Sequence, residues 1–492
     1  MLKTAHAGVI CDRDVLKGTR MRGSVNYLHV GSGLQRFLIL LVTVMALMLL
    51  VVVIARYMID VPHWDQWDFV PTLEKCHTEG LTLSDLASQH NEHRLFFPRL
   101  IMVGLAILSG WNTNWQLPVN VICVAGVVAL MALQTWRAQG RPSFGPGWYL
   151  PAMALVAFSI NGTENWISPF QLQIGLCVFG VVGAFVLLGE RASRLAFTGA
   201  VVAAIVATYS FASGALVWPL GLVMIGLVGD GIRSRSDWAR AALWAGVGAV
   251  MIGLYAHGFE RPAYHPPPCL PHTHPKLWTR FVLTYIGGPF SAHRGAPIGG
   301  FGLLLGMALV WLIARRRMLR RPEVASLIAV GLYGLAVGLI ITVGRGHFGL
   351  GSAALNRYYM FANLIWLMEI ALLAVAATGP LESLRRRSDW LKVAAFVVMM
   401  LISGLAVRSN RVHLWEYRER NELLLQAGAL MQNPETEMRG LRMVYPAPER
   451  MLHSLHYLRS EQLSLFRPCA PCYPAPPLPA KPPEDAPQSE GS

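Results

Sequence analysis

Long apolar runs separated by short polar stretches organise this chain. They fall at residues 38–54, 117–133, 172–188, 195–210, 216–228, 241–257, 301–314, 324–343, 361–377 and 393–407. An apolar run of about 18 residues can cross the hydrocarbon core as a helix, so each run predicts a span. The Gly, Pro and charged residues between them predict loops. A shorter apolar segment at 148–160 predicts one further, short span. Segment 96–108 is also apolar but is interrupted by Pro98 and Arg99. At roughly a dozen residues it suits an interfacial or re-entrant helix. The pattern predicts an all-α, polytopic transmembrane helix bundle of about eleven spans, within a range of about ten to thirteen. A long first external loop carries the interfacial helix.

Composition agrees with this pattern. The chain is 54% hydrophobic and 14% charged, where soluble domains carry about a quarter charged residues. A net charge of +14 would suggest nucleic acid in a soluble protein. Here no nucleic-acid motif or aromatic-basic interleaving accompanies it, and nucleic acid is not an expected partner. The charge instead marks short loops, and Lys and Arg in such loops mark the cytoplasmic side. Lys3, Arg13, Lys17, Arg20, Arg22 and Arg36 place the N-terminus inside. The loops of Arg137 and Arg141, Arg191 and Arg194, Arg233, Arg235 and Arg240, Arg315, Arg316, Arg317, Arg320 and Arg321, and Arg385, Arg386 and Arg387 follow it there.

Four regions result: a basic cytoplasmic segment at 1–35, a transmembrane domain at 36–407 with its external loop at 57–116, an external helical tail at 408–466, and a Pro-rich, disordered tail at 467–492. The first span lacks a small-residue cleavage site and reads as an uncleaved signal anchor. Cys469 and Cys472 form a C-x-x-C in the Pro-rich tail, which in an oxidising compartment suits a disulfide better than a redox or zinc site. No internal repeat points to an inverted-repeat transporter.

Residues able to do chemistry gather in the loops predicted to be external. Loop one opens with Asp60, His63, Trp64, Asp65, Gln66, Trp67 and Asp68, and continues to His90, Asn91, Glu92, His93 and Arg94. Acids flanked by Trp at headgroup level are partly desolvated, which raises a carboxyl toward a useful general base. The alternative is an interfacial Trp belt with solvated Asp side chains. Loop two, 161–170, holds Glu164 without a basic neighbour, although Thr163 and Asn165 also suit a helix cap. Loop five, 344–358, holds Arg345, His347, Arg357 and Tyr358. Arg binds phosphate through a planar fork, so this loop suits a phosphate headgroup, with lipid snorkelling as the alternative. His265, His272 and His274 lie among prolines without an acid or Cys at a recognised spacing, and no metal ligand is assigned. Glu369 lies within a span and is left outside the site.

The order of these features resembles the type C superfamily of membrane glycosyltransferases. Asp65 and Gln66, between Trp64 and Trp67, stand where that family opens its first external loop with Asp-Glu. Phe97, Pro98 and Arg99 stand at its Pro-marked short helix, and Glu164 stands at its second acid. The resemblance covers mainly residues 36–190. It implies sugar transfer from a polyprenyl-phosphate donor to a glycan or lipid acceptor of the cell envelope, at the periplasmic face of a bacterial inner membrane. Asp65 would act as base. Asp68, Glu92 and Glu164 would orient substrate or stand in for it. His93, Arg94, Arg345, His347, Arg357 and Tyr358 would hold the lipid phosphate. No cofactor is required, and Gln66 in place of an acid weakens any divalent-metal role. An O-antigen ligase or polymerase centred on His293 and Arg294 is one alternative, and a lipid-linked sugar flippase is another.

Overall fold

A computed structural model describes residues 25–140, 147–191, 193–228, 231–262, 266–378 and 385–468. Most of the N-terminal segment, Arg141, His265, and Cys469 and Cys472 of the tail lie outside the described residues. Among the described residues the fold is helical, apart from one two-stranded hairpin. Eight of the described helices are long and apolar enough to cross a membrane, from Gly33–Tyr57 to Trp390–Gln432. The chain is therefore a polytopic helical bundle. Three shorter apolar helices accompany them, Phe96–Ser109, Arg194–Thr208 and Ala212–Leu227. Phe96–Ser109 has 14 residues, roughly 21 Å at the helical rise and short of a bilayer core of about 30 Å. The short span expected at 148–160 is the eight-residue helix Leu150–Ala157, with Met153 and Ala154 fully buried.

The structure differs from the expected pattern in two places. The stretch 258–300, which lies between two of the predicted spans, contains the helix Pro275–Gly287, whose Phe281, Tyr285 and Ile286 are buried. It packs closely on Gly295–Arg315, because a Cβ at Gly287 would strike the backbone of Gly295, and one at Gly299 that of Leu283. Small residues allow this backbone approach between apolar helices. In addition, Arg385–Gln432 is one helix of 48 residues and passes the expected boundary at 407/408 without a break. At roughly 72 Å it is more than twice the bilayer core, so a long segment projects beyond it.

That projection builds a second hydrophobic core. Leu424, Ala427 and Met431, with Leu441, Leu455 and Leu458 of the following short helices, pack on the first loop at Trp67, Val70, Leu73, Met102 and Trp111. Buried Asp60 closes this body. It accepts from the Thr113 backbone at 2.8 Å and hydroxyl at 2.9 Å, and pairs with Arg467 at 2.7 Å.

The loops divide between the two ends of the bundle. At one end the basic loops meet: Arg137 pairs with Glu190 at 2.7 Å, Arg191 with Asp237 at 2.5 Å, and Arg316 donates to the Ala376 carbonyl at 2.6 Å. At the other end Arg345 reaches Glu92 at 2.8 Å, and Asn165 reaches the Asn356 carbonyl at 2.8 Å. The first, second and fifth polar loops thus converge.

Candidate active site

Asp65 sits on the short 3-10 helix Trp64–Phe69. Gln66 turns inward and accepts from the His63 backbone at 3.0 Å, closing the helix entrance. It therefore acts as a cap, while its neighbour Asp65 faces outward. Trp64 has φ +50°, a left-handed value costly for a bulky residue. Asn91 has φ +49°, which Asn tolerates. It turns the hairpin in which Gln89–His90 pairs with His93–Arg94 and carries Glu92 to the tip. Left-handed backbone thus precedes both loop-one acids that face the cavity, strained at Trp64 and tolerated at Asn91.

Glu92 receives Arg345 at 2.8 Å. His93 stacks on Phe211 with ring centroids 4.0 Å apart. Its Nδ1 accepts from the Ala212 backbone N–H at 3.2 Å. In neutral His93 the proton then lies on Nε2, 3.9 Å from Glu92. Arg357 Nε lies 2.9 Å from Glu164. Glu416 of the long tail helix accepts from Thr163 at 2.8 Å and from Asn356 at 3.0 Å, clamping loops two and five together.

These elements surround a cavity of about 370 Å³ lined by Asp65, Glu92, His93, Arg345, Arg357 and Tyr358, with Gln171, Gln173 and Ser213 beside them. Val337, Ile340 and Ile341 form an apolar wall along Pro322–Arg345. Ile340 is 51% exposed and Phe259, also on the lining, 41%. The lining therefore offers both hydrocarbon and charge.

Electrostatics separate the acids. Burial pushes the Asp65 carboxyl up, but His90, 3.8 Å away, with Arg357 and His93, outweighs it, and the group is held below its ordinary value. Burial likewise raises Glu92, and His93 and Arg345 more than cancel this. Asp68 behaves differently. Burial raises it above the usual carboxylate value, and the Tyr445 hydroxyl, donating at 2.7 Å, only partly offsets this. The rise expected from partial desolvation thus occurs at Asp68, while imidazole reverses it at Asp65. Burial lowers His93 to about 4 against the pull of Glu92. Burial together with Arg420 lowers His63 to about 2.

No family model, no curated protein and no solved structure matches this chain. The site is read from its own geometry.

Six of the ten residues singled out in the sequence line the cavity: Asp65, Glu92, His93, Arg345, Arg357 and Tyr358. Glu164 sits behind Arg357 as its partner. Asp68 faces Tyr445. Its ligand atoms lie within 4.8 Å of those of Asp65 and His90, so these three could share a divalent cation. Arg94 is occupied elsewhere, donating to the carbonyls of Ala87 at 3.1 Å and Tyr255 at 2.8 Å, and to that of His257. His347 is exposed and lies against His274, with ring centroids 5.0 Å apart. His293 and Arg294 are exposed and do not line the cavity. Sequence reasoning passed over Glu416 and Arg420. Their four-residue spacing, in register with buried Tyr417, Leu424 and Met431, puts them toward the inner face of an amphipathic helix.

Proposed function

We propose that this protein is a membrane glycosyltransferase that moves a sugar from a polyprenyl-phosphate donor to an acceptor hydroxyl of the cell envelope. One observation supports this most: carboxylates and guanidinium groups converge on a cavity that also presents exposed hydrocarbon at Ile340 and Phe259. A polyprenyl phosphate has the same two halves, an apolar chain and an anionic head. The features resembling type C glycosyltransferases occupy this cavity at Asp65 and stand just behind it at Glu164. The charge asymmetry of the loops supports an external position for the cavity, which in this reading is the periplasmic face of a bacterial inner membrane.

In the proposed step the acceptor oxygen attacks the anomeric carbon. The bond from that carbon to the phosphate oxygen breaks, and its electron pair leaves with the phosphate. Asp65 takes the acceptor proton. Its lowered pKa keeps it ionised at neutral pH, so the proton moves once the new C–O bond has made the hydroxyl acidic. Arg345 and Arg357 take up the charge developing on the phosphate. Each guanidinium lies against one acid, Arg345 donating to Glu92 at 2.8 Å and Arg357 lying 2.9 Å from Glu164, which holds both positive charges at the cavity. A single base opposite the leaving group predicts inversion, by analogy with glycoside hydrolysis.

The test compares wild type with Asp65→Asn and Arg345→Gln in membranes at equal abundance, supplied with radiolabelled polyprenyl-phosphate sugars. Asp65→Asn loses transfer while native mass spectrometry still shows bound polyprenyl phosphate, and Arg345→Gln weakens that binding. Unchanged transfer by Asp65→Asn would remove the assignment.

A further inference from the structure

We propose that Cys269, His274 and His347 form a zinc site that clamps the 266–274 loop to the end of the helix carrying Arg345. Each of the three offers one ligand atom, and these atoms lie within 4.8 Å of one another. A thiolate with two imidazoles is a soft and borderline donor set that suits zinc and excludes calcium and magnesium. Tetrahedral zinc at ordinary bond lengths spaces such atoms about 3.3–3.7 Å apart. Closing the remaining distance of about 1 Å requires only rotation of two exposed imidazoles. Cys269 is fully buried and fixes the position.

The surrounding backbone is arranged for this contact. The Cys269 N–H donates to the Val343 carbonyl at 2.8 Å. Gly346 lies directly beneath the thiol, and a Cβ there would come within 2.7 Å of the Cys269 Cβ and 2.8 Å of its sulfur. Only glycine leaves space for the sulfur to sit over the chain between Arg345 and His347. His274 turns Nδ1 to the Thr273 hydroxyl at 2.9 Å, leaving Nε2 for a metal. A hydrogen bond on the second ring nitrogen is how zinc-bound histidines are usually oriented. Three protein ligands leave a fourth position for water.

The consequence concerns Arg345. It is two residues before His347 and pairs with Glu92 at the cavity floor. A metal joining His347 to Cys269 and His274 would hold that turn against the neighbouring loop. Zinc binding itself does not depend on the sugar-transfer reading, and its test does not use activity.

Full-length protein purified in detergent is loaded with zinc or cobalt, passed over a desalting column and analysed for metal. Wild type is expected to hold one zinc per chain. Cobalt is expected to give tetrahedral d–d bands and a thiolate charge-transfer band in the near ultraviolet. Cys269→Ser should lose the charge-transfer band, and His274→Gln and His347→Gln should each weaken zinc at least roughly tenfold. Cys76→Ser should change nothing. Wild type holding under a tenth of a zinc per chain, or cobalt bound without the thiolate band, would overturn the site. So would Cys269→Ser with full zinc and an unchanged spectrum. If Cys269→Ser elutes as aggregate, the wild-type cobalt spectrum and His347→Gln, altered at an exposed position, decide the question.

Discussion

Two of the cavities among the described residues have equal size, about 370 Å³ each, and each has acid beside it. The first lies at the polar end, where three loops and two helix ends meet, and its acids Glu92 and Glu164 are answered by Arg345 and Arg357. The second lies among Gly295–Arg315, Pro322–Arg345 and Tyr359–Thr378 and is lined by Leu, Ile, Val and Met with one acid, Glu369. Glu369 is completely buried, and neither carboxyl oxygen has a hydrogen-bond partner among the described residues. An acid is therefore common to both cavities, half-buried in the first and fully buried in the second. What distinguishes the first is convergence of opposite charges from elements distant in sequence, on a surface that can take both halves of a lipid phosphate.

The largest effect that should separate the two is on transfer. Asp65→Asn removes the proton acceptor from the first cavity and is expected to lower the rate by about 10²-fold or more. Glu369→Gln, in the second cavity, should leave it unchanged. Initial rates at equal protein and saturating donor test both. Equal losses from the two variants would end the distinction.

A second effect appears in stability against pH. His93 is buried beside Glu92, with its folded pKa lowered from 6.5 to about 4. The unfolded chain then binds more protons than the folded one between those values. Stability should be full above about pH 6.5 and fall as pH drops toward 4, by about 3 kcal/mol from this residue. The carboxylates Asp65 and Glu92, also lowered when folded, add losses of the same sign but only below their ordinary range near 4. The loss between pH 6.5 and 5 therefore belongs to His93 together with His63, which burial and Arg420 lower to about 2. Melting temperatures across that interval should fall about half as steeply in His93→Gln, with His63 supplying the remaining slope, and parallel wild-type and variant curves would refute the account.

Hydropathy makes most of the bundle legible, because a bilayer demands long apolar helices and little else does. Charge makes the division of loops between the two ends legible as well, from Arg137, Arg191, Arg240 and Arg316. The helix Pro275–Gly287 was hidden by its setting. Prolines and histidines precede it, and its inward face shows only as Phe281, Tyr285 and Ile286. The join between membrane and tail was hidden because Arg408 and Arg411 mark a change of medium, which a helix can cross unbroken. Residue type also leaves the partner open. Arg94 and Arg345 read alike, yet one holds backbone carbonyls and the other an acid at the cavity. The role of Glu416 requires knowing that the tail folds back against loops two and five, a contact between residues about 60 and 250 positions apart.

The second cavity offers a converse test of stability. An unpaired carboxyl in apolar surroundings costs about 1–3 kcal/mol. Glu369→Met keeps much of the volume and removes the unanswered oxygens. It should stabilise the protein by about 2 kcal/mol, since replacing an unsatisfied buried polar group by an apolar one removes the desolvation cost. Thermal unfolding in detergent measures this. A fall in melting temperature would show that Glu369 has a stabilising role that the apolar lining does not reveal.

The smallest effect is also the most specific to the first cavity. Glu92 and Arg345 meet at 2.8 Å, with side chains 28% and 25% exposed. Water reaches both, so their attraction is far below that of a dry pair, and a coupling of about 1 kcal/mol is expected. A double-mutant cycle isolates it. Glu92→Gln and Arg345→Gln should each destabilise, and the double variant should destabilise by less than their sum. The same cycle run on polyprenyl-phosphate binding distinguishes an orienting pair from a merely structural one. If Glu92 holds the Arg345 fork for phosphate, Glu92→Gln weakens binding in the presence of Arg345 and has no effect once Arg345 is gone. If the two losses simply add, the pair holds loops together without shaping the phosphate site, and the difference between the two cavities would rest on Asp65 and Arg357.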